Sequence, residues 1–524
     1  MTRGRSAFTA AIVTMSLTIA LSGCTAASTG VTQEQAIGAG ASTLAQLEVP
    51  ASSIPAKYYD QRVAWHPCNG DECGAIAVPE DWAEPRGASI SLALIEHKAT
   101  GRAIGTLVVD PGGPGESGVT WVGKDFAAVV DPSVAASYNV VGFDPRGVGA
   151  STAVSCLTPQ QLDRYIFAPA VGVVGSDDWI ADQLHRASVM AAGCDKDSGV
   201  LLANLDTVSV AHDLDVIRSS LGEDKLDYFG ASWGTYLGTV YAGLYPTKTG
   251  RFVLDGAFDP WSAAARDGTA QAIAFEGDLD AYVAACLSGS RQAVGAARCP
   301  FSGDSPKAEH AIRDLLVSAD QHPIVATAGL SIDGALLSKA IIQALYSPKY
   351  WPLLTDMFIQ LRNGVTTDAM RLIGSRYGLD VNGVPVDNFE VAFLSARCIE
   401  AGSRYDIARD DDRFQLLKEK APVFGPWLGY GDLTCSSWPY EPPPFPVPVH
   451  ALTASQMLVL GTTGDPATPY KEAQDLAIQL TTANLVTFHG EGHTAYDKGD
   501  ACINHVVDKY LLHGVVPTSD PDCH

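Results

Sequence analysis

Two hydrophobic periods share this chain, and the change from one to the other divides it. Short, dense apolar runs come first. Thr106-Leu107-Val108-Val109-Asp110, Asn139-Val140-Val141-Gly142-Phe143-Asp144, Leu226-Asp227-Tyr228-Phe229-Gly230 and Phe252-Val253-Leu254-Asp255 have the length and the β-branched and aromatic content of buried strands. Upstream, Cys73 to Val78 and Ile90 to Glu96 read as two more strands, with Glu80 to Gly87 as the turn between them. Val210, Leu214, Ile217 and Leu221 recur along one face of an amphipathic helix, and Gly222 follows as its C-cap. A second helix is predicted from Trp233 to Tyr245. Helices alternating with strands in this way predict an α/β fold with a parallel sheet.

From about Gly256 the period becomes helical. Ala264 to Cys286, Ser305 to Ala319, Gly334 to Tyr346, Tyr350 to Asn363 and Asp387 to Glu400 carry it, with few strand signals among them. A proline-rich stretch from Pro439 to Pro448 reads as a stiff return linker. An α-rich insertion between strands of a sheet is expected to be a cap or lid, which excludes water and limits what reaches the site beneath. Strands resume at Met457 to Gly461 and at Asn484 to Phe488, the second read as the last strand. Thr468 with Pro469 reads as the N-cap and first turn of the helix between them. The predicted division is 47–255 and 449–524 for the sheet core and 256–448 for the helical cap.

The N-terminus has a different character. Arg3 and Arg5 precede an uncharged stretch from Ala7 to Gly23, the pattern of a secretory signal over residues 1–23. Leu21-Ser22-Gly23-Cys24 looks like a bacterial lipobox, which would make Cys24 the lipidated first residue of the mature chain. The plain alternative is ordinary cleavage nearby and free secretion. Residues 24–46, rich in Ala, Ser, Thr and Gly, would then be a tether.

Composition narrows the function classes. At 524 residues, with 46% apolar and 18% charged positions, the chain is long enough for a large core plus an insertion. Its net charge of -24 argues against a nucleic-acid partner, which would need concentrated Lys and Arg. Setting Cys24 aside leaves ten of the 11 cysteines, an even number suited to an oxidising compartment. Pairing neighbours gives Cys68–Cys73, Cys156–Cys194, Cys286–Cys299, Cys398–Cys435 and Cys502–Cys523. No paired Cys-x-x-Cys is present for zinc, and Gly490 and Gly492 between His489 and His493 break the helix that a histidine metal pair would use. Neither a metal nor a cofactor is expected.

The candidate chemistry lies at strand ends. Gly230-Ala231-Ser232-Trp233-Gly234 is a Gly-x-Ser-x-Gly turn between a strand and a helix, the setting that exposes a serine oxygen as a nucleophile. After the strand ending at Asp110 comes Pro111-Gly112-Gly113-Pro114-Gly115. It lacks the Gly-Lys-Ser/Thr or the Gly-x-Gly-x-x-Gly of a phosphate cradle, so it reads as an oxyanion loop whose backbone N–H meets a developing negative oxygen. Asp144 and Arg146 are expected to brace that loop as an ion pair. Asp465 and His493 each follow a strand. The order Ser232, Asp465, His493 is that of α/β-hydrolase triads, in which histidine takes the serine proton and the carboxylate fixes the imidazole.

Gly-Gly-Pro-Gly at 112–115, Phe-Asp-Pro-Arg-Gly at 143–147, Gly-Ala-Ser-Trp-Gly-Thr at 230–235, Gly-Asp-Pro-Ala-Thr-Pro at 464–469 and Gly-His-Thr at 492–494 together resemble the actinobacterial tripeptidyl aminopeptidases. These are exported α/β-hydrolase relatives of prolyl aminopeptidase, and the likeness runs from about residue 55 to the end. It implies an α/β-hydrolase core with a helical cap, and a serine peptidase that releases short peptides from free N-termini. It also implies Ser232, Asp465 and His493 as triad, with oxyanion N–H groups from Gly113 and Trp233 and with Gly112 as rival to Gly113. Where prolyl aminopeptidases carry histidine before the glycine loop, this chain has Asp110-Pro111, which favours the tripeptidyl branch. A carboxylate for the substrate amine is expected in the cap, with Glu400 as the candidate ahead of Glu276. Two other readings remain open at this point: an esterase or lipase on the same machinery, and a non-catalytic envelope protein that uses the fold as a binding scaffold.

Overall fold

The computed structural model describes residues 54–262, 268–326, 329–400, 406–441 and 454–524. The signal segment, Cys24, the tether, the start of the helix expected from Ala264 and most of the proline-rich linker lie outside these residues. Among the described residues no helix is long and apolar enough to cross a membrane.

The strands are β1 (His66–Cys68), β2 (Asp71–Pro79), β3 (Ser89–His97), β4 (Gly105–Asp110), β5 (Tyr138–Phe143), β6 (Leu226–Ala231), β7 (Thr249–Asp255), β8 (Ile324–Val325), β9 (Ser331–Ile332), β10 (Met457–Gly464), β11 (Ala483–Glu491) and β12 (Asp522–Cys523). Ten of them form one sheet in the order β1-β2-β3-β5-β4-β6-β7-β10-β11-β12, while β8 and β9 pair separately. From β5 to β12 every pairing is parallel; β1, β2 and β3 add to one side antiparallel. The chain lays down β4, steps outward to β5, then returns past β4 to β6. Such a reversal leaves a crevice beyond the carboxyl ends of the strands, where open α/β sheets place their ligands.

The central strands are buried on both faces, and their alternation feeds two cores. Val108, Val141, Tyr228, Phe252 and Val459 point to one face. Leu107, Val109, Val140, Phe229 and Val253 point to the other. Every residue in these runs has a core to enter, which is why the strands read as continuous apolar stretches.

The longer helices are α1 (Gly118–Asp125), α2 (Pro159–Phe167), α3 (Asp177–Ala203), α4 (Thr207–Leu221), α5 (Trp233–Leu244), α6 (Thr269–Leu287), α7 (Ser305–Gln321), α8 (Gly334–Leu345), α9 (Trp351–Arg362), α10 (Thr367–Tyr377), α11 (Phe389–Glu400), α12 (Ile407–Lys420), α13 (Tyr470–Leu480) and α14 (Ala501–His513). Helices α6 to α12 make the expected helical segment, although α10 and α12 carry no strong signal in the sequence. A second stretch joins them. α3, from the part of the chain assigned to the sheet core, packs against α11 and against the turn at Gly431–Cys435. Cys156–Cys194 ties α3 to the loop after β5, and Cys398–Cys435 ties α11 to that turn. All five disulfides join the neighbours expected from their spacing.

Four local expectations need correction. Helix α4 is buried almost all round rather than along one face, because its polar side has protein partners. Asp213 receives Arg146 and the Trp82 indole, and Asp215 receives Arg218, Tyr59 and Tyr241. Arg146 therefore pairs with Asp213, at 2.7 Å from each oxygen, and not with Asp144. Thr468 is not a helix cap: α13 starts one residue later, after Pro469, and the Thr468 hydroxyl turns to Asp465. Finally, β11 runs on to Glu491 and β12 follows it, pinned to α14 by Cys502–Cys523; His489 sits within β11 and bonds Asp522 at 2.6 Å.

Candidate active site

Four loops meet at the carboxyl edge of the sheet, and β6 supplies the central one. Ser232 follows β6 directly and holds φ 55, ψ -124, a conformation that strains any residue with a Cβ. The turn is tight enough to dictate its neighbours. A Cβ on Gly230 would strike the Gly234 carbonyl oxygen, and one on Gly234 would come within 2.8 Å of the Asp110 carbonyl oxygen. Helix α5 begins at once with Trp233, and the Ser232 N–H is tied to the Asp255 carbonyl at 2.8 Å. The serine thus stands at a helix N-terminus on a backbone fixed from both sides.

The glycine loop after β4 lies against this turn. A Cβ on Gly112, whose φ is +92, would sit 2.7 Å from the Trp233 nitrogen. The Gly112 N–H is already taken by Asp110 Oδ1 at 2.7 Å. Burial pushes the Asp110 carboxyl up to about 7, against the pull of that hydrogen bond. Among the described residues the N–H groups of Gly113 and Trp233 have no protein acceptor, so both are open to an incoming oxygen. Farther along, Gly115 touches the cap: a Cβ there would be 2.8 Å from the Phe393 nitrogen of α11. Asp144 anchors the other end, accepting from Ser117 Oγ at 2.6 Å, Ala150 N at 2.8 Å and Val119 N at 3.1 Å.

Asp465 and His493 come together from the ends of β10 and β11. His493 Nδ1 lies 2.9 Å from Asp465 Oδ1 and 3.0 Å from Oδ2. The carboxylate is saturated: Ala467 N and Thr468 N donate to one oxygen, and Thr468 Oγ1 and Thr494 N to the other. Thr468 Oγ1 also lies 3.3 Å from His493 Nδ1, so it braces both partners. Below them Asp255 accepts Ala495 N and Tyr496 N, fixing the loop that carries the histidine. From above, the Tyr346 carbonyl at the end of α8 accepts the His493 N–H at 2.8 Å, and the Tyr346 ring meets the imidazole edge-on at 5.5 Å.

The histidine's electrostatics follow from these contacts. Burial disfavours the imidazolium, but the charge and hydrogen bond of Asp465, helped by Asp255, outweigh it and hold the pKa above the ordinary value. Nε2 is buried without a partner among the described residues, an orphaned atom that native structures keep for a reason. With Nδ1 held by a carboxylate, neutral Nε2 is the ring's free basic position.

The two cap carboxylates have other occupations. Glu400 accepts Thr207 N at the start of α4 and Tyr236 Oη at 3.3 Å, and burial pushes it up to about 7. It lines a partly open cavity of ≈ 40 Å³ together with Gly112, Gly115, Trp233, Leu237 and Ala396. Each oxygen thus accepts one donor from the core, which leaves acceptor capacity on both. Glu276 accepts Val423 N at 2.8 Å and Phe424 N at 3.1 Å, holding two cap segments together. Groups that the sequence did not single out stand closer. Glu116 is exposed and within electrostatic reach of His493, and Asp278 of α6 faces Glu491, two residues before that histidine. Burial, then the charges of Glu491 and Asp465, push Asp278 up to about 8, so it carries a proton at neutral pH. Of all these, Thr468 alone stood inside a quoted motif.

A strained serine at a strand–helix turn, a glycine loop with free N–H groups and a carboxylate-held histidine, on a mixed sheet wound in this order, define a hydrolase of the α/β-hydrolase fold. Residues 421–523 match the family described as TAP-like protein. The chain is 36% identical over 487 residues to the serine protease Hip1 of Mycobacterium tuberculosis, covering 88% of this chain and 91% of that one. It is 31% identical to the tripeptidyl aminopeptidase of Streptomyces coelicolor, over 88% of this chain and 86% of that one. A third relative, carboxylesterase B of Mycobacterium tuberculosis, is 33% identical over 86% of each chain. The chain belongs to the tripeptidyl aminopeptidase-like family of α/β-hydrolase serine peptidases.

Proposed function

We propose that this protein is an exported serine aminopeptidase that releases short peptides from free N-termini, with Ser232, His493 and Asp465 as its triad. The observation that carries the reading is the histidine: Nδ1 is held by both Asp465 oxygens while Nε2 stays buried and unpartnered among the described residues.

Ser232 Oγ attacks the scissile carbonyl carbon as His493 Nε2 takes its proton. Asp465 stabilises the imidazolium that forms. The carbonyl oxygen, now negative, receives the N–H groups of Gly113 and Trp233; Gly112, whose N–H belongs to Asp110, orients the loop instead. His493 returns the proton to the leaving amine as the C–N bond breaks, leaving an acyl-enzyme. Water then adds to the ester carbonyl, losing its proton to His493, and Ser232 leaves as the alcohol.

The helical segment 256–448, joined by α3, serves as the lid. The leader and Cys24 supply export and a lipid anchor, and peptides or proteins are the substrates. The preference for free N-termini is drawn from the tripeptidyl aminopeptidase relative. It is tested with one tripeptide chromogenic amide, free or acetylated at its N-terminus. Cleavage of the free form alone supports an aminopeptidase; equal cleavage of both overturns that specificity. An esterase is the second reading, favoured by the carboxylesterase B relative. Turnover of acyl esters with no turnover of either amide would put it first.

A further inference from the structure

At the far edge of the sheet, β11 and β12 bring together a group of ligand atoms that the triad does not use. Thr487 pairs with Asp522 and Phe488 with Cys523, in parallel. The next step of that register sets His489 beside His524, and alternation along both strands puts these side chains on the face that carries Asp522. The rings agree with it: the two imidazoles stack at 4.4 Å, with 11° between their planes. Both turn Nε2 toward one carboxylate. His489 Nε2 lies 2.6 Å from Asp522 Oδ1, and His524 Nε2 lies 3.9 Å from Oδ2. One ligand atom from each of the three residues falls within 4.8 Å of the others. The histidine pairing set aside on the sequence joined His489 to His493; the sheet joins it to His524 instead.

The backbone under this cluster is held from several sides. Thr487 N donates to the Pro521 carbonyl at 2.9 Å, and Leu485 N to Asp520 Oδ1 at 3.1 Å. Cys502–Cys523 pins β12 to α14 between the two ligands that this strand end contributes. The side chains are open to solvent, with 41%, 63% and 73% of His489, Asp522 and His524 exposed, so a hydrated ion can reach them. An exposed histidine–aspartate pair is common and weak, and one imidazole is enough to make it. A second ring stacked flat on the first, with its Nε2 on the same side, only adds repulsion when both are protonated. As neutral ligands, the two rings and the carboxylate instead suit one divalent cation. Ligand atoms of a tetrahedral site stand about 3.3 Å apart, a spacing that exposed side chains on a fixed backbone reach by rotation.

We propose that His489, Asp522 and His524 bind a divalent transition-metal ion of the zinc class, through both Nε2 atoms and one Asp522 oxygen, with water in the fourth position. As the ion takes its place, the Nε2 hydrogen that His489 shares with Asp522 passes to Nδ1 of a neutral ring, or to water from a charged one. Calcium and magnesium, which take oxygen ligands, do not suit two imidazoles. The bound ion clamps β12 to β11 at the edge of the sheet, and neither ion nor clamp depends on the peptidase reading.

The test is a titration of zinc chloride, against a competing chromophoric chelator, into protein that carries no polyhistidine tag. One equivalent should bind in the micromolar range or tighter, and His489→Gln and His524→Gln should each weaken it about tenfold or more. His310→Gln, which removes an exposed histidine beside Asp314 on α7, should keep it. Zinc should also raise the melting temperature of the wild type, and raise that of the two site variants less, because an ion that binds only the folded chain stabilises it. The three side chains are exposed, so the metal-free variants should melt with the wild type, which separates lost binding from lost folding. Calcium chloride at the same concentrations should give neither effect. No zinc equivalent in the wild type, an equivalent that both site variants leave intact, or an equal response to calcium overturns the site.

Discussion

The carboxyl edge of the sheet and the cap above it handle charge in opposite ways. At the edge, three buried carboxylates are met by several donors: Asp465 accepts four besides His493, and Asp255 and Asp144 hold whole loops through backbone N–H groups. In the cap, Glu390 Oε2 has no hydrogen-bond partner among the described residues, although Arg376 lies 3.8 Å away as an ion pair. Saturated polar groups over-determine a geometry, as chemistry requires, whereas a less saturated one leaves it looser. The comparison teaches where reaction and selection are separated in this fold. In the proposed reading the edge carries the reaction and the cap selects its substrate.

The largest expected effect breaks the edge. Asp465→Asn keeps the shape of the side chain but loses the charge that fixes the imidazole, and kcat should fall about 10⁴-fold with little change in melting temperature. A loss below tenfold would remove Asp465 from the triad. Gly112→Ala should follow, because a Cβ there meets the Trp233 nitrogen at 2.7 Å and displaces the neighbouring N–H groups. We expect about 10²-fold lower kcat, with KM moved far less, since these donors act on the developing charge. Thr468→Val removes the hydroxyl that touches both Asp465 and His493 but leaves its backbone N–H in place. About a tenfold loss in kcat is expected, measured on the same amide.

How far the sequence revealed each region follows from the same contrast. The edge was legible because its geometry demands particular residues at particular spacings. Gly230 and Gly234 flank Ser232 for want of space, Gly112 for want of a Cβ, and Asp465 and His493 end strands whose apolar runs are unmistakable. The cysteines were legible too, since each pairs with a near neighbour. The cap was not. Its charged residues look like the solvated faces of ordinary helices, and nothing in the chain says that Arg376 of α10 lies over the Phe389 and Phe393 rings of α11. Glu276 shows the converse: a carboxylate that looked available is held by two backbone N–H groups. Helix α3 was missed for want of a clear apolar stripe, and α4 was misread because buried partners hide in its polar side.

Smaller effects sharpen the comparison through pH. His493 must be neutral to accept the serine proton, and its pKa is held above the ordinary 6.5 chiefly by Asp465, against burial. Activity should therefore fall as pH drops, with the midpoint of the acid limb of kcat/KM above 6.5. Asp278 marks the boundary between cap and edge. Its carboxyl is raised from 3.8 to about 8 on folding, so the protein takes up a proton there, and that stabilising contribution is lost as pH rises through this window. Asp278→Asn should thus flatten the alkaline decline in melting temperature, gaining a few degrees on the wild type at pH 8 relative to pH 5. A parallel decline in both proteins would show that Asp278 is not the group responsible.

The most direct measurement is mass spectrometry of the protein after reaction with a fluorophosphonate, which captures a serine only where a base and an oxyanion pocket activate it. The account predicts a single adduct, mapped to Ser232 and absent from Ser232→Ala. An adduct on a different serine, or full peptidase activity in protein that takes up no label, would contradict it.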